Sequence, residues 1–275
     1  YYQLGPGAEG PDNIASPDGN SSLRKHFTAL LAEHFVDALH HLPPAVMGRL
    51  VRVMVNAIYE RDLQFYFNAP AAEDALLSLH AASAIQAVPG DSLFVVDANI
   101  GVNKANSAIS SIVNDQVSLG SDGSAVHHTT LTYTWQMNGA TMYGRKLYRA
   151  YVRVYLPAQS RLQYQADWDY QGTGSAFGRL FAGGYFVLNQ GQTHTITLTW
   201  QTPRVASQQN NHWNYQYVLQ RQAGIQRTIH VQVALPPCNA TLLARNTGIP
   251  LSKHLVSVSQ LLNKDQTIML SYECG

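Results

Sequence analysis

The chain has 275 residues, 45% of them hydrophobic and 13% charged, with 18 Lys and Arg against 17 Asp and Glu for a formal net charge of +1. That is enough apolar mass for a large core in one or two domains. It shows no basic stripe of the kind phosphate neutralisation needs, which argues against nucleic-acid binding, and no apolar run of 18 residues, so a membrane link would need a segment outside this sequence.

Residues 1–22 contain GPGAEGPDNIASPDGNSS and predict an extended arm or linker. The start, Tyr1-Tyr2-Gln3, has neither an initiator Met nor a signal-peptide pattern, which suggests a piece of a longer or processed protein. Residues 23–90 read as a helical segment of two to three helices. Leu23, Phe27, Leu30, Leu31, Phe35, Ala38 and Leu39 form one apolar stripe, and Ser21 or Ser22 can cap it. Pro43 and Pro44 stop that helix and open a second, striped by Val46, Leu50, Val53, Met54, Ala57 and Ile58. A third begins near Pro70, with Glu73 and Asp74 in the first turn, where the helix dipole favours acids.

From residue 91 to 275 the period becomes two. Thr129, Leu131, Tyr133, Trp135 and Met137 share one face; Tyr148, Ala150, Val152, Val154 and Leu156 share another. Ile196, Leu198 and Trp200, then Trp213, Tyr215, Tyr217 and Leu219, then Ile229, Val231, Val233 and Leu235 continue the pattern. Alternating strands with turns such as Gly120-Ser121-Asp122-Gly123 predict antiparallel sheets with one wet face, stacked as a β-sandwich. The expected fold class is α+β: a small N-terminal helical segment followed by a predominantly antiparallel β-sandwich. Its only cysteines, Cys238 and Cys274, are either a bridge or two buried thiols. With no third cysteine they suit neither zinc nor nucleophilic catalysis, so we expect a disulfide-tied C-terminal extension.

The run LFVVDANIGVNKAN (93–106) ends in the polar cluster Asp97, Asn99, Gly101, Asn103 and Lys104. Asp97, Asn99 and Gly101 match the first ligands of a calcium loop. Val102 and Ala108 replace its glycine and its bidentate Glu, which excludes an EF-hand. A structured turn, held by Asx hydrogen bonds, is the plainer reading. The glycines of 172–178 lack nucleophile-elbow spacing and read as a β-β loop. His127 and His128 point to opposite faces of a strand and cannot chelate together. Asp167 and Asp169 share a strand face. No metal and no cofactor are expected. Arg149, Tyr151, Arg153 and Tyr155 fall on an outer strand face, and Trp168 and Trp213 flank loops; aromatics beside polar groups suit protein contact or sugar stacking.

Several stretches resemble the bacterial domain of unknown function 4012 family, in its C-terminal portion. These are ERDLQFYF (60–67), DSLFVVDANIGVNKAN (91–106), TTLTYTW (129–135) and LYRAYVRVYLPAQSRL (147–162). The most specific parts are Asp97-Ala98-Asn99 with Asn103-Lys104, and the strand from Tyr148-Arg149 to Leu156-Pro157. The resemblance implies a membrane-anchored protein with an extracytoplasmic body, polysaccharide-associated by gene neighbourhood and with no assigned activity. Expected from all this is a non-enzymatic extracellular or cell-surface structural or interaction protein, with protein partners or self-association and a glycan as a further ligand. The alternatives are a glycan-binding module, or an envelope-polysaccharide enzyme in which Lys104 binds an anion and Asp97 serves as base or cation ligand.

Overall fold

A computed structural model describes residues 21–79, 81–82, 85, 88–101, 103, 105–135, 147–246, 251–252 and 254–275. Of the expected arm at 1–22, residues 1–20 lie outside the described residues, as do Lys104 and Met137, and Ser21 and Ser22 instead begin the first helix. The chain divides into two compact units, residues 1–58 and 59–275. The first holds α1 (Ser21–His40) and nearly all of α2 (Pro44–Tyr59), on either side of the expected proline break. No residue of α2 is buried, and Val51, Val53, Met54 and Val55 are exposed. Two helices alone offer too little surface to bury an apolar stripe fully.

The second unit opens with α3 (Pro70–Ser78), which thus belongs with the sheets rather than with the first two helices. Glu73 in its first turn accepts the backbone N–H of Phe67 at 2.9 Å. Arg61 grips Asp265 through Nε at 3.0 Å and Nη2 at 2.7 Å, tying the preceding segment to the sheets.

Two sheets follow. The first contains β1 (Asp91–Asn99), β4 (Leu147–Leu156), β6 (Tyr170–Ala176), β7 (Arg179–Asn189), β9 (Ala206–Gln209), β10 (His212–Gln220), β12 (Thr241–Arg245) and β15 (Gln266–Glu273). The second contains β2 (Ile109–Leu119), β3 (Ala125–Trp135), β5 (Arg161–Ala166), β8 (Thr193–Thr202), β11 (Arg227–Ala234), β13 (Leu251–Ser252) and β14 (Leu255–Leu261). Their orders, β12-β15-β10-β1-β4-β7-β6 and β13-β14-β11-β2-β3-β8-β5, match place for place. Hairpins such as β2–β3 and β6–β7 stay within one sheet, whereas β1 and β2, β7 and β8, and β10 and β11 fall in opposite sheets. Pairing is antiparallel except β1 with β10 and β2 with β11. The inward residues of both sheets form one core around Trp135, Trp200, Tyr133, Tyr148, Tyr215, Tyr217 and Phe186.

Two local expectations change. Residues 172–178 are not a loop. They form most of β6 and a two-residue turn, Phe177-Gly178, in which both residues have positive φ (55° and 66°). That geometry matches the right-handed twist of the paired strands. Asp167 and Asp169 sit at the corner between β5 and β6, where the chain changes sheet, and not on one strand face.

Candidate functional site

β1 ends at the polar cluster, and its asparagines bond to one another and to the local backbone. Asn99 Nδ2 donates to the Asn103 carbonyl at 2.7 Å and to Asn103 Oδ1 at 3.1 Å, and Asn99 Oδ1 accepts the Gly101 N–H at 3.0 Å. Asn103 Oδ1 accepts the Ala105 N–H, and its Nδ2 donates to the Leu147 carbonyl. These bonds fold the turn and tie it to the start of β4. Lys104 lies outside the described residues.

Asp97 turns the other way. In β1, period two places Asp91, Leu93, Val95 and Asp97 on the inward face, two carboxylates bracketing two apolar residues. The Asp97 side chain, 5% exposed, pairs with the Arg227 guanidinium of β11 and accepts the Tyr133 hydroxyl of β3 at 2.7 Å. Arg227 also donates to Ser111 Oγ and to the Val95 carbonyl. Burial opposes the charge on Arg227, but Asp97 outweighs it and raises the guanidinium pKa.

At the other end of β1 is a larger set. His127 of β3, fully buried, donates from Nδ1 to Asp115 of β2 and from Nε2 to Asp91, both at 2.8 Å. Its ring stacks on Trp200 with centroids 3.6 Å apart. Tyr215 donates to Asp91 at 2.9 Å, Tyr217 to Asp115 at 2.6 Å, and Thr129 to the second Asp115 oxygen at 2.7 Å. Burial alone would depress the imidazole; the two carboxylates outweigh it and hold His127 at about 9. Asp115 is pulled below its ordinary value: burial opposes this, and the His127 charge and three hydrogen bonds overcome it. Burial, then the neighbouring carboxylates, push Tyr215 and Tyr217 well above the phenol range. Arg179, also buried, donates to Ser92 Oγ at 2.7 Å, to Gln220 and to the Tyr155 carbonyl.

So the acid–imidazole–acid array has the components of general acid–base chemistry but no access to a substrate. Every ring nitrogen and most carboxylate oxygens already hold a protein partner between the sheets. Sequence reading missed His127, Asp91, Asp115, Arg179 and Arg227. The available signal was charge at inward register positions: His127 precedes Thr129, Leu131 and Tyr133, and Arg227 precedes Ile229, Val231 and Val233, each at spacing two. Among the described residues, no group of three or more His, Cys, Asp or Glu is placed to hold a metal ion.

The expected recognition residues divide. Arg149, exposed, and Tyr151 and Arg153, half-buried, lie on the outer face of the first sheet. Tyr155 shares that face but is 2% exposed, covered by Phe94, Phe177 and Phe181 at ring distances of 6.0, 6.2 and 5.7 Å. Trp213 stacks on Tyr272 at 6.4 Å, and Trp168 packs over Gly184; both are packing residues first. Register builds two parallel rows across β4, β7 and β6. One is Tyr151, Tyr185 and Tyr170; the next is Arg153, Gly183 and Gly172. The Arg153 stem crosses Gly183, where any side chain would crowd it at 3.3 Å, and its guanidinium lies 5.4 Å from the Tyr151 centroid and 4.9 Å from that of Phe181. Stacked arginine between rings gives a flat, cationic, aromatic surface. It runs to the sheet edge at β6, where Tyr170 is 70% exposed.

No family model matches the chain, and no curated protein matches it. Solved structures similar to it are distant. A candidate nutrient-binding protein from Legionella pneumophila is 10% identical with a TM-score of 0.46, over 66% of this chain and 71% of that one. An M1 zinc metallopeptidase from Deinococcus radiodurans is 10% identical with a TM-score of 0.35, over 60% of this chain and 42% of the peptidase. A candidate protease from Parabacteroides distasonis is 12% identical with a TM-score of 0.28, over 61% of this chain and 40% of the other. At such distance none of them bears on activity.

Proposed function

We propose that this chain is an extracytoplasmic interaction protein, a non-catalytic β-sandwich that joins a larger cell-surface assembly through one sheet edge. The carrying observation is the contrast between β6 and the other terminal strands. β12 has a bulge between Leu242 and Ala244 and ends in Arg245; β5 begins with Arg161 and has a bulge between Leu162 and Tyr164; β13 is two residues long. Bulges, charges and shortness are the usual guards against edge-to-edge pairing. β6, Tyr-Gln-Gly-Thr-Gly-Ser-Ala, has none of them: seven residues, no charge, no proline, and unbroken register with β7. Its exposed backbone can accept a further strand, which is how extended segments add to a sheet.

The Cys238–Cys274 disulfide, with Cα atoms 5.2 Å apart, fits an oxidising compartment and supports the extracytoplasmic reading. The resemblance to the domain of unknown function 4012 family points the same way. A second reading, a glycan-binding module, is favoured by the Tyr151–Arg153–Phe181 stack.

The test is light scattering over a concentration series, with Thr173→Lys as the guarded edge. Wild type should associate as concentration rises, and Thr173→Lys should stay monomeric with unchanged circular dichroism. A monomer at every concentration in both proteins would defeat the assembly reading. Binding of neutral and acidic oligosaccharides to such a monomer, lost in Arg153→Ala, would select the glycan module instead.

A further inference from the structure

A second place on the outer face of the first sheet comes from a change of neighbour. Along one side, β10 pairs with β9 through Tyr215 and with β1 from Tyr217 onward. The two neighbours meet at Gln216 and leave a gap. β9 is drawn aside where Ala206 donates to the Gly123 carbonyl at 3.0 Å. On the other side Gly90, at φ +80°, brings its backbone so close to β10 that a Cβ would stand 2.9 Å from the Gln216 carbonyl oxygen. Between them opens a cleft of about 600 Å³, within the range of small-molecule sites.

Arg204, which also faces Asp122, contributes a cation, Asn214 and Gln216 contribute amides, and none of the lining residues is acidic. Asn246 is fixed by the Met269 backbone: its Oδ1 accepts the Met269 N–H, and its own backbone N–H donates to the Met269 carbonyl at 3.3 Å. Arg204 projects from the turn between β8 and β9, where its φ is +52°. Pro89, Val205 and Met269 supply apolar surface. Guanidinium groups select carboxylates; amides carry both donors and acceptors, as ring hydroxyls require; and the apolar wall suits the C–H face of a pyranose.

We propose that this cleft binds a carboxylate-bearing sugar, a hexuronate taken either free or as a residue of an acidic polysaccharide. This does not rest on association through β6, which lies at the far edge of the same sheet, so the two proposals stand or fall by different readouts.

Titration calorimetry on the oxidised whole chain tests it, using glucuronate, galacturonate, a trigalacturonate, neutral glucose and galactose, and inorganic phosphate. A uronate should bind at least about tenfold more tightly than its neutral parent, the effect of one charge-assisted bond. Arg204→Gln should remove that preference, and Ser271→Trp, which fills the cleft, should abolish binding while circular dichroism stays unchanged. Tighter binding of the trimer than the monomer assigns a polysaccharide source; equal binding per site assigns the free acid. The proposal is overturned by equal affinity for acidic and neutral sugars, by phosphate binding as well as uronate, by indifference to both variants, or by no binding at all.

Discussion

Asp97 shows how one residue type can serve opposite roles a few positions apart. At the end of an apolar strand, beside asparagines, it reads as a surface ligand; in the fold it is the buried counter-ion of Arg227. Such a pair is costly to assemble and more costly to break, since removing one partner strands the other charge away from water. Asp97→Ala should therefore lower unfolding stability by about 3–5 kcal/mol, seen as a shift in the urea midpoint, with any surface binding intact in the folded fraction. A change of ligand binding without loss of stability would return Asp97 to the role of a site residue. His127 carries a pH dependence of fixed sign. Its folded pKa, about 9, exceeds the ordinary 6.5, so its contribution is complete below the unfolded value and fades as pH climbs through 9. Asp115, depressed, acts oppositely: its contribution is present above the ordinary carboxylate value and is lost at lower pH.

Among the elements, β6 departs most from its sequence pattern. Glycines at 172, 174 and 178 suggest a loop, yet two of them lie in a strand, where Gly172 leaves an open surface and Gly174 sits beneath the Phe181 ring. Only Gly178 is required by backbone conformation, as the second residue of the turn before β7. Gly178→Ala should cost about 1 kcal/mol, measured as a lower thermal midpoint, and should weaken association through the adjoining edge. No loss would mean that the hairpin is not formed as described. The long alternating strands, by contrast, were legible in local spacing alone: the inward sets from Leu131 to Trp135, Tyr148 to Leu156 and Ile229 to Leu235 are buried as their alternation demands. The parallel pairing of β1 with β10 was not, because partners more than a hundred residues apart leave no local trace. Nor were the buried charges, whose position was readable only by extending strand register past the apolar residues to the polar ones at each end.

At the scale of the molecule, the chain crosses repeatedly between the sheets, with β2–β3, β6–β7, β9–β10 and β13–β14 as consecutive same-sheet pairs, so each sheet is assembled from strands spread along the whole β region. The charged groups span the two sheets: β1 supplies Asp91 and Asp97 from one sheet, and His127, Asp115 and Arg227 answer from the second. The apolar alternation already specifies which face is buried, and parting these buried charges adds a further penalty to any shift of strand pairing. The disulfide holds the last strand, β15, to the segment before β12, closing a loop across a sequence separation of 36. Cys238→Ser should lower stability by roughly 3–4 kcal/mol, read as a lower thermal midpoint that reductant does not lower further. An unchanged midpoint would show that the tail is held by its strand pairing alone.

The acid–imidazole–acid group, an imidazolium between two carboxylates, is sealed inside the sandwich as a charged tie between the sheets, leaving the outer face to make contacts. Nitrogen-15 NMR of the His127 ring across pH 6 to 10 tests this directly. A doubly protonated ring whose N–H protons exchange slowly and which titrates near 9 is the predicted result. A neutral ring at pH 7.5 would remove the charged tie, and ring protons in rapid exchange with water would place His127 within reach of solvent; either result contradicts the account.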